Sequence, residues 1–299
     1  MKKNCIVITG PTAIGKTALA IKVAQYFSTE IISCDSRQCF KELSIGVAKP
    51  TVAELELVYH HFINSHSIQQ PISAAIFEQY ALEKINTIFA AYDIAVMVGG
   101  TGLYVKAFCE GMDEVPAIDP FIRQAIIDNY HSNGINWLKE QVKNQDEAYY
   151  AIGEILNPQR LMRALEVVQS TGKSLLDFHT NQKKKRDFNI IKIGLELPRP
   201  QLVDRINIRV EDMMQDGLLE EVARLLPFKS LNALQTVGYH EIFTHLLGQI
   251  TLEEAIAQIK INTRQYAKRQ MTWFKKDVAV QWCNPEFKDV IAVVKKQLQ

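Results

Sequence analysis

The chain lacks several features that would have placed it quickly. None of its apolar runs approaches the ~20 residues that span a bilayer, and the apolar part of "MKKNCIVITGP" is too short for an export signal, so a cytoplasmic protein with no membrane partner is expected. Cysteines are few and odd in number: Cys5, Cys34, Cys39, Cys109 and Cys283 make no disulfide framework, as in a reducing compartment. Cys34 and Cys39, even with His60 and His61, do not have the usual spacing of a zinc site. Charge of either sign is not in excess, the formal net charge being +1, so any surface for a polyanion must be local. Internal repeats and low-complexity stretches are absent. With 47% hydrophobic and 22% charged residues, 299 residues suffice for one large domain or two modest ones.

What is present begins with "GPTAIGKT", residues 10–17, directly after the apolar run 5–8. Gly-x4-Gly-Lys-Thr between a strand and a helix is a phosphate-cradling loop: Gly10 and Gly15 allow a tight turn, and Pro11, Thr12, Ala13 and Ile14 supply its backbone. Lys16 reaches the outer phosphate oxygens, and the Thr17 hydroxyl suits Mg²⁺. A nucleotide hydrolase also needs an apolar strand ending in Asp. The best such strand, in "IAVMVGGTGLY", ends instead in Gly99-Gly100-Thr101, which argues against ATP turnover.

Strand-like runs at 5–10, 30–35 and 94–100 alternate with helical patterns, including 73–92 behind the N-cap candidate Ser73. The pattern predicts an α/β fold, a P-loop NTPase-like doubly wound parallel sheet. Residues 1–112 form the first part of this core, 113–185 an inserted all-helical subdomain, and 186–299 complete the core with a returning strand at 188–197 followed only by helices.

"IISCDSRQCF" delivers Asp35, Ser36, Arg37 and Gln38 at a strand's carboxyl end, where ligands of open α/β sheets sit. Position alone leaves Asp35 as Mg²⁺ ligand, general base or helix cap. It leaves Gln38 as a reader of an adenine edge or a surface residue. In "TRQYAKRQMTWFKK", residues 263–276, five cations occur with three aromatics and no acid. Arg264, Lys268, Met271 and Lys275 share a helical face. That face suits an RNA backbone and unstacked bases, or it is a solvated face over a buried Trp. Arg160 and Arg163 are a weaker case of the same choice between phosphate clamp and surface ion pair.

In order, "GPTAIGKT", "DSRQ", "IGVAKP", "VGGTGLYVKA", "NPQRLMRALEV", "RINIRVEDMMQDGLLEEV", "TVGY" and "TRQYAKRQMTWF" resemble the tRNA dimethylallyltransferase (tRNA isopentenyltransferase) family. With no zinc-finger extension after residue 276, the resemblance is to the bacterial form. It implies that the loop holds the diphosphate of dimethylallyl diphosphate, and that the five-carbon group passes to N6 of the adenosine beside the anticodon, position 37 of tRNA. Asp35 is then the general base, and Ser36 and Gln38 contact the target adenosine. Lys16, Thr17, Thr101 and Arg209 serve the diphosphate and metal site. Arg123 and the segment Gln159 to Arg163 contact tRNA, as do Arg37, Gly238, Tyr239, His240, Arg264 and Lys268. The implied partners are Mg²⁺, dimethylallyl diphosphate and a tRNA anticodon stem-loop, acted on by a monomer. An adenylate prenyltransferase and a small-molecule P-loop kinase are the alternatives. Departures from the family are Phe40 for Tyr, Val47 for Thr, Asn64 for Asp and His240 for Arg, all expected to lie outside the chemical core.

Overall fold

The computed structural model describes residues 2–180 and 182–299. They divide into two compact units, one made of residues 1–111 with 185–299 and the other of residues 112–184.

The first unit is built on a six-stranded sheet. In chain order its first half runs β1 (Asn4–Thr9), α1 (Lys16–Tyr26), β2 (Ile31–Ser33), α2 (Val52–Leu57), β3 (His60–His61), α3 (Ala74–Ala91), β4 (Ile94–Val98) and α4 (Gly102–Glu110). β1 is buried along its whole length because it is a central strand covered on both faces, which is why its sequence is a continuous apolar run. Ile6 and Ile8 pack with Leu19, Val23 and Ala24 of α1. α3 starts where its cap dictates: the Ser73 hydroxyl accepts from the Ile76 N–H at 3.2 Å.

The second unit is helical: α5 (Pro120–Gln145), α6 (Glu147–Ile152) and α7 (Pro158–Thr171), then a short 3-10 turn, Leu175–Phe178. Its own core joins Ile126, Leu138 and Val142 of α5 to Leu161 and Leu165 of α7. α5 is broken at Gly134, whose φ of 73° falls in the left-handed region that glycine tolerates. Buried Glu166 accepts from Arg123 through both oxygens, at 3.1 and 3.0 Å, and from Arg163 at 3.3 Å.

The chain then returns to the sheet as β5 (Asn189–Leu195), followed by α8 (Arg199–Gln215), α9 (Leu218–Leu225), α10 (Tyr239–Leu246), α11 (Leu252–Phe274), β6 (Gln281–Cys283) and α12 (Phe287–Leu298). All ladders are parallel, in the order β3-β2-β4-β1-β5-β6. β2 and β3 run outward on one side, β4 returns between β2 and β1, and β5 and β6 continue on the other side, so the order reverses at the centre as in a doubly wound sheet. One expectation is corrected: a strand, β6, follows residue 197, pairing Trp282 with Gly194 at the sheet edge. Three residues are too few to show a period of two, so this edge leaves no readable pattern. Arg186, the last residue of the basic run 183–186, is structural. It donates to buried Glu78 at 2.7 Å and to the carbonyls of Ala107 and Phe108 that end α4. Among the described residues no helix is long and apolar enough to cross a membrane.

Candidate active site

The loop after β1 crowds its neighbours closely enough to require glycine. A Cβ on Gly10, at φ 148°, would lie 3.0 Å from the Leu195 carbonyl oxygen, and Gly15 opens α1 at φ 95°. Ala13 also takes a positive φ of 64°. No side chain caps α1 and no acid lies in its first turn, so its N-terminal amides face outward as anion donors. The loop is tethered from three places. Lys16 Nζ donates to the Pro11 carbonyl at 2.8 Å, Arg205 donates to the Ile14 carbonyl at 3.2 Å, and the Thr12 N–H donates to Gln270 Oε1 at 2.8 Å.

The loop forms one side of a cavity of about 780 Å³, lined also by Asp35, Gln38, Arg209, Asp212, Tyr266 and the segment 44–52. Burial, with Arg209 adding repulsion, lowers the Lys16 ammonium to about 8, against the smaller pull of Asp35. Burial lowers Arg209 as well, again opposed by Asp35. Two desolvated cations that repel one another across a glycine loop form a site that gains from an anion.

Asp35 faces this cationic side. Its Oδ1 accepts from the N–H groups of Arg37, at 2.9 Å, and Gln38, at 3.3 Å, which makes the 35–38 turn. Capping is therefore one observed role of this carboxylate, and both bonds go to a single oxygen. Thr101, at the N-terminus of α4, accepts from the Ser36 N–H at 3.0 Å and donates to the Ser36 hydroxyl at 3.3 Å. Gly99 shows why β4 ends without a carboxylate: a Cβ there would lie 2.6 Å from the Cys34 carbonyl.

Gln38 lines the cavity, and its amide N–H groups donate to the carbonyls of Val47, at 3.2 Å, and Ala48, at 2.9 Å, so they hold the neighbouring loop. Two features were not singled out from the sequence. Gln270, 6% exposed within the basic stretch, links α11 to the phosphate loop through Thr12 and to the end of β4 through the Gly100 carbonyl at 2.9 Å. Asp212 of α8 and Asp216, which caps its C-terminal end, also line the cavity, although as acids on and beside a helix they read like any solvated face.

The profile of the family described as IPP transferase matches residues 38–277. The chain belongs to that family. It is 49% identical over 282 residues to a tRNA dimethylallyltransferase of Christiangramia forsetii, covering 94% of this chain and 93% of the relative. It is 44% identical over 300 residues to one of Cytophaga hutchinsonii, covering 100% and 99%. A crystal structure of the full-length tRNA isopentenylpyrophosphate transferase from Bacillus halodurans superposes with a TM-score of 0.71 at 33% identity, over 99% of this chain and 95% of that one. A eukaryotic dimethylallyltransferase described as acting on tRNA superposes with a TM-score of 0.79 at 26% identity, over 99% and 77%.

Beyond the turn of residues 35–38, which carries Ser36, Arg37 and Gln38, the residues expected to meet RNA fall into three groups. Exposed Lys268 and half-buried Arg264 lie on α11, where Lys268, Arg269, Thr272, Trp273 and Lys276 border a shallow recess. Trp273 packs against Gly102 and is still 39% exposed. Lys275, expected on the same face, turns to Glu196 at 3.3 Å and to the Trp282 ring. On the helical unit Arg123 and Arg163 pair with Glu166 and Arg160 with Glu154, while Gln159 is exposed.

The third group is corrected. His240 is exposed, but Gly238 is buried, and Tyr239 is fully buried with its hydroxyl on Glu221 at 2.6 Å, so these two present no surface to RNA. The departures from the family are corrected too: Val47 and Asn64 line the cavity itself, and Asn64 accepts from Lys49 at 2.6 Å where the family commonly has an ionic Asp.

Proposed function

We propose that the chain transfers the dimethylallyl group of dimethylallyl diphosphate to N6 of adenosine 37 in tRNA, next to the anticodon. The observation that carries this reading is the pairing, in one cavity, of a phosphate loop backed by Lys16 and Arg209 with a carboxylate, Asp35, on a sheet whose β4 lacks the acid of a nucleotide hydrolase.

The C–O bond to the diphosphate breaks as the N6–C bond forms. Negative charge grows on the leaving diphosphate, where Lys16, Arg209 and the amides of residues 10–17 stabilise it. Positive charge grows on N6, and Asp35 takes its proton. Thr101 positions Ser36 beside Asp35. Mg²⁺, when bound, screens the leaving diphosphate. The Thr17 hydroxyl at the start of α1, which lines the cavity, would be the protein's hard oxygen donor to it. No cluster of three His, Cys, Asp or Glu forms a separate cage among the described residues. The anticodon stem-loop presents adenosine 37 out of its stack. On the first unit the cations offered to tRNA are Arg37, Arg264 and Lys268, with His240 as a polar neighbour; on the helical unit, taken by itself, they are Arg123, Arg160 and Arg163, with Gln159.

The test incubates the protein with labelled dimethylallyl diphosphate and either tRNA or AMP, and in parallel with ATP. Label in tRNA adenosine, release of diphosphate and negligible ATP turnover are expected. Label in AMP alone identifies an adenylate prenyltransferase, and tRNA-stimulated ATP hydrolysis contradicts the reading.

A further inference from the structure

Three stretches that carry the family resemblance have no part in this chemistry: "IGVAKP", the Glu221 of "GLLEEV" and the Tyr239 of "TVGY". The fold brings them together. Glu221 is 4% exposed and receives four hydrogen bonds. Its Oε2 accepts from the N–H groups of Ser44, at 3.1 Å, and Ile45, at 2.9 Å. Its Oε1 accepts from the Gly46 N–H, at 3.1 Å, and the Tyr239 hydroxyl, at 2.6 Å. Burial, followed by the nearness of Glu221, pushes the Tyr239 phenol far up, so it remains a donor. The Tyr239 ring fills the space beside Gly46, where a Cβ would lie 2.5 Å from it.

The same segment is held from its other side. Gln38 takes the carbonyls of Val47 and Ala48, and Lys49 Nζ donates to the Phe40 carbonyl at 2.8 Å and to Asn64 at 2.6 Å. Every residue from 44 to 49 is thereby fixed through its own atoms. Ile45, Val47 and Ala48 line the cavity shared with Lys16, Asp35 and Arg209. Gln38 ties this wall to the Asp35 turn, because its backbone N–H donates to Asp35 and its side chain to Val47 and Ala48. A wall clamped at six successive residues yields little to a bulkier ligand, and a packed interior strains when overfilled.

We propose that Glu221 and Tyr239 are positioning residues that hold the 44–49 wall at the width that admits a five-carbon alkyl chain and refuses a longer one. This rests on the prenyl-transfer reading above. Neither residue touches the reacting atoms; both act through the wall.

The experiment offers the protein dimethylallyl and geranyl diphosphate in competition, with an anticodon stem-loop as acceptor, and measures the two modified nucleosides by mass spectrometry. The wild-type protein should transfer the five-carbon group in strong preference. Tyr239→Phe removes one hydrogen bond, keeps the ring, and should lower that preference about three- to tenfold while raising KM for dimethylallyl diphosphate. Its thermal midpoint should fall by a few degrees, since a buried bond to a carboxylate is lost, while its affinity for the stem-loop should stay near wild type. Glu221→Gln, which turns an acceptor into a donor facing the backbone N–H groups, should lower the preference further; if it fails to fold, Tyr239→Phe carries the test. An unchanged preference in Tyr239→Phe, or an equal fall in kcat for both donors at constant KM, overturns the proposal. A wild-type protein that prenylates nothing overturns the reading beneath it, whatever the variants do.

Discussion

Gln270 holds Thr12 across 258 positions of sequence: its side-chain oxygen accepts the Thr12 N–H at 2.8 Å. The other end of the same amide donates to the Gly100 carbonyl at 2.9 Å, so one side chain joins the phosphate loop, the end of β4 and α11. Replacing it by Ala leaves the Thr12 N–H and the Gly100 carbonyl without this partner. Gln270→Ala should cost about 1–3 kcal/mol of stability. It should also weaken diphosphate binding more than RNA binding, as read by urea denaturation and by two separate titrations.

Lys16 gives a pH dependence whose sign is fixed. Burial and Arg209 bring its pKa down from 10.5 to about 8, so the free site loses this charge as pH rises through about 8. A diphosphate binds the protonated form better, and its affinity should fall from pH 7 to pH 9 in calorimetric titrations. For folding, the native state binds fewer protons than the unfolded chain between about 8 and 10.5. The penalty of burying this ammonium is therefore full below about 8, and stability due to Lys16 rises across that window. Lys16→Met should flatten the affinity profile; an equally steep profile in the variant assigns the titration to another group.

Arg264 and Lys268 lie one helical turn apart on α11, half-buried and exposed respectively. If both meet RNA phosphates, the double variant to Ala should weaken tRNA binding. The slope of log affinity against log salt should become shallower by ~0.7 to 0.9 for each phosphate that is no longer neutralised. An unchanged slope returns this face to solvent.

What was legible in the sequence was the part dictated by local rules. A buried central strand must be a continuous apolar run and the loop after it must be glycine-rich, so β1, the phosphate loop and α1 could be read directly. β3 and β6, at the sheet edges, are two and three residues long and carry no period. Side chains whose partners lie far along the chain were the least legible. Gln270 looked like one more polar residue among cations, Tyr239 was only an implied tRNA contact, and Gln38 was either a base reader or a surface residue. Each is defined by contacts with segments that no spacing rule connects to it. Val47 and Asn64 were placed away from the chemistry for the same reason, because only the fold brings the 44–49 segment and Asn64 to the cavity.

The central claim is that Asp35 removes the proton from the attacking adenosine amine, and Asp35→Asn tests it most directly. Asn keeps an oxygen that accepts from the N–H groups of Arg37 and Gln38, so the turn that Asp35 now caps should survive. Only the basic oxygen is removed. In single-turnover transfer from dimethylallyl diphosphate to tRNA the rate should drop ~10² to 10⁴-fold, with tRNA affinity close to wild type. A variant that transfers at nearly the wild-type rate contradicts the account and leaves Asp35 as the cap of its own turn.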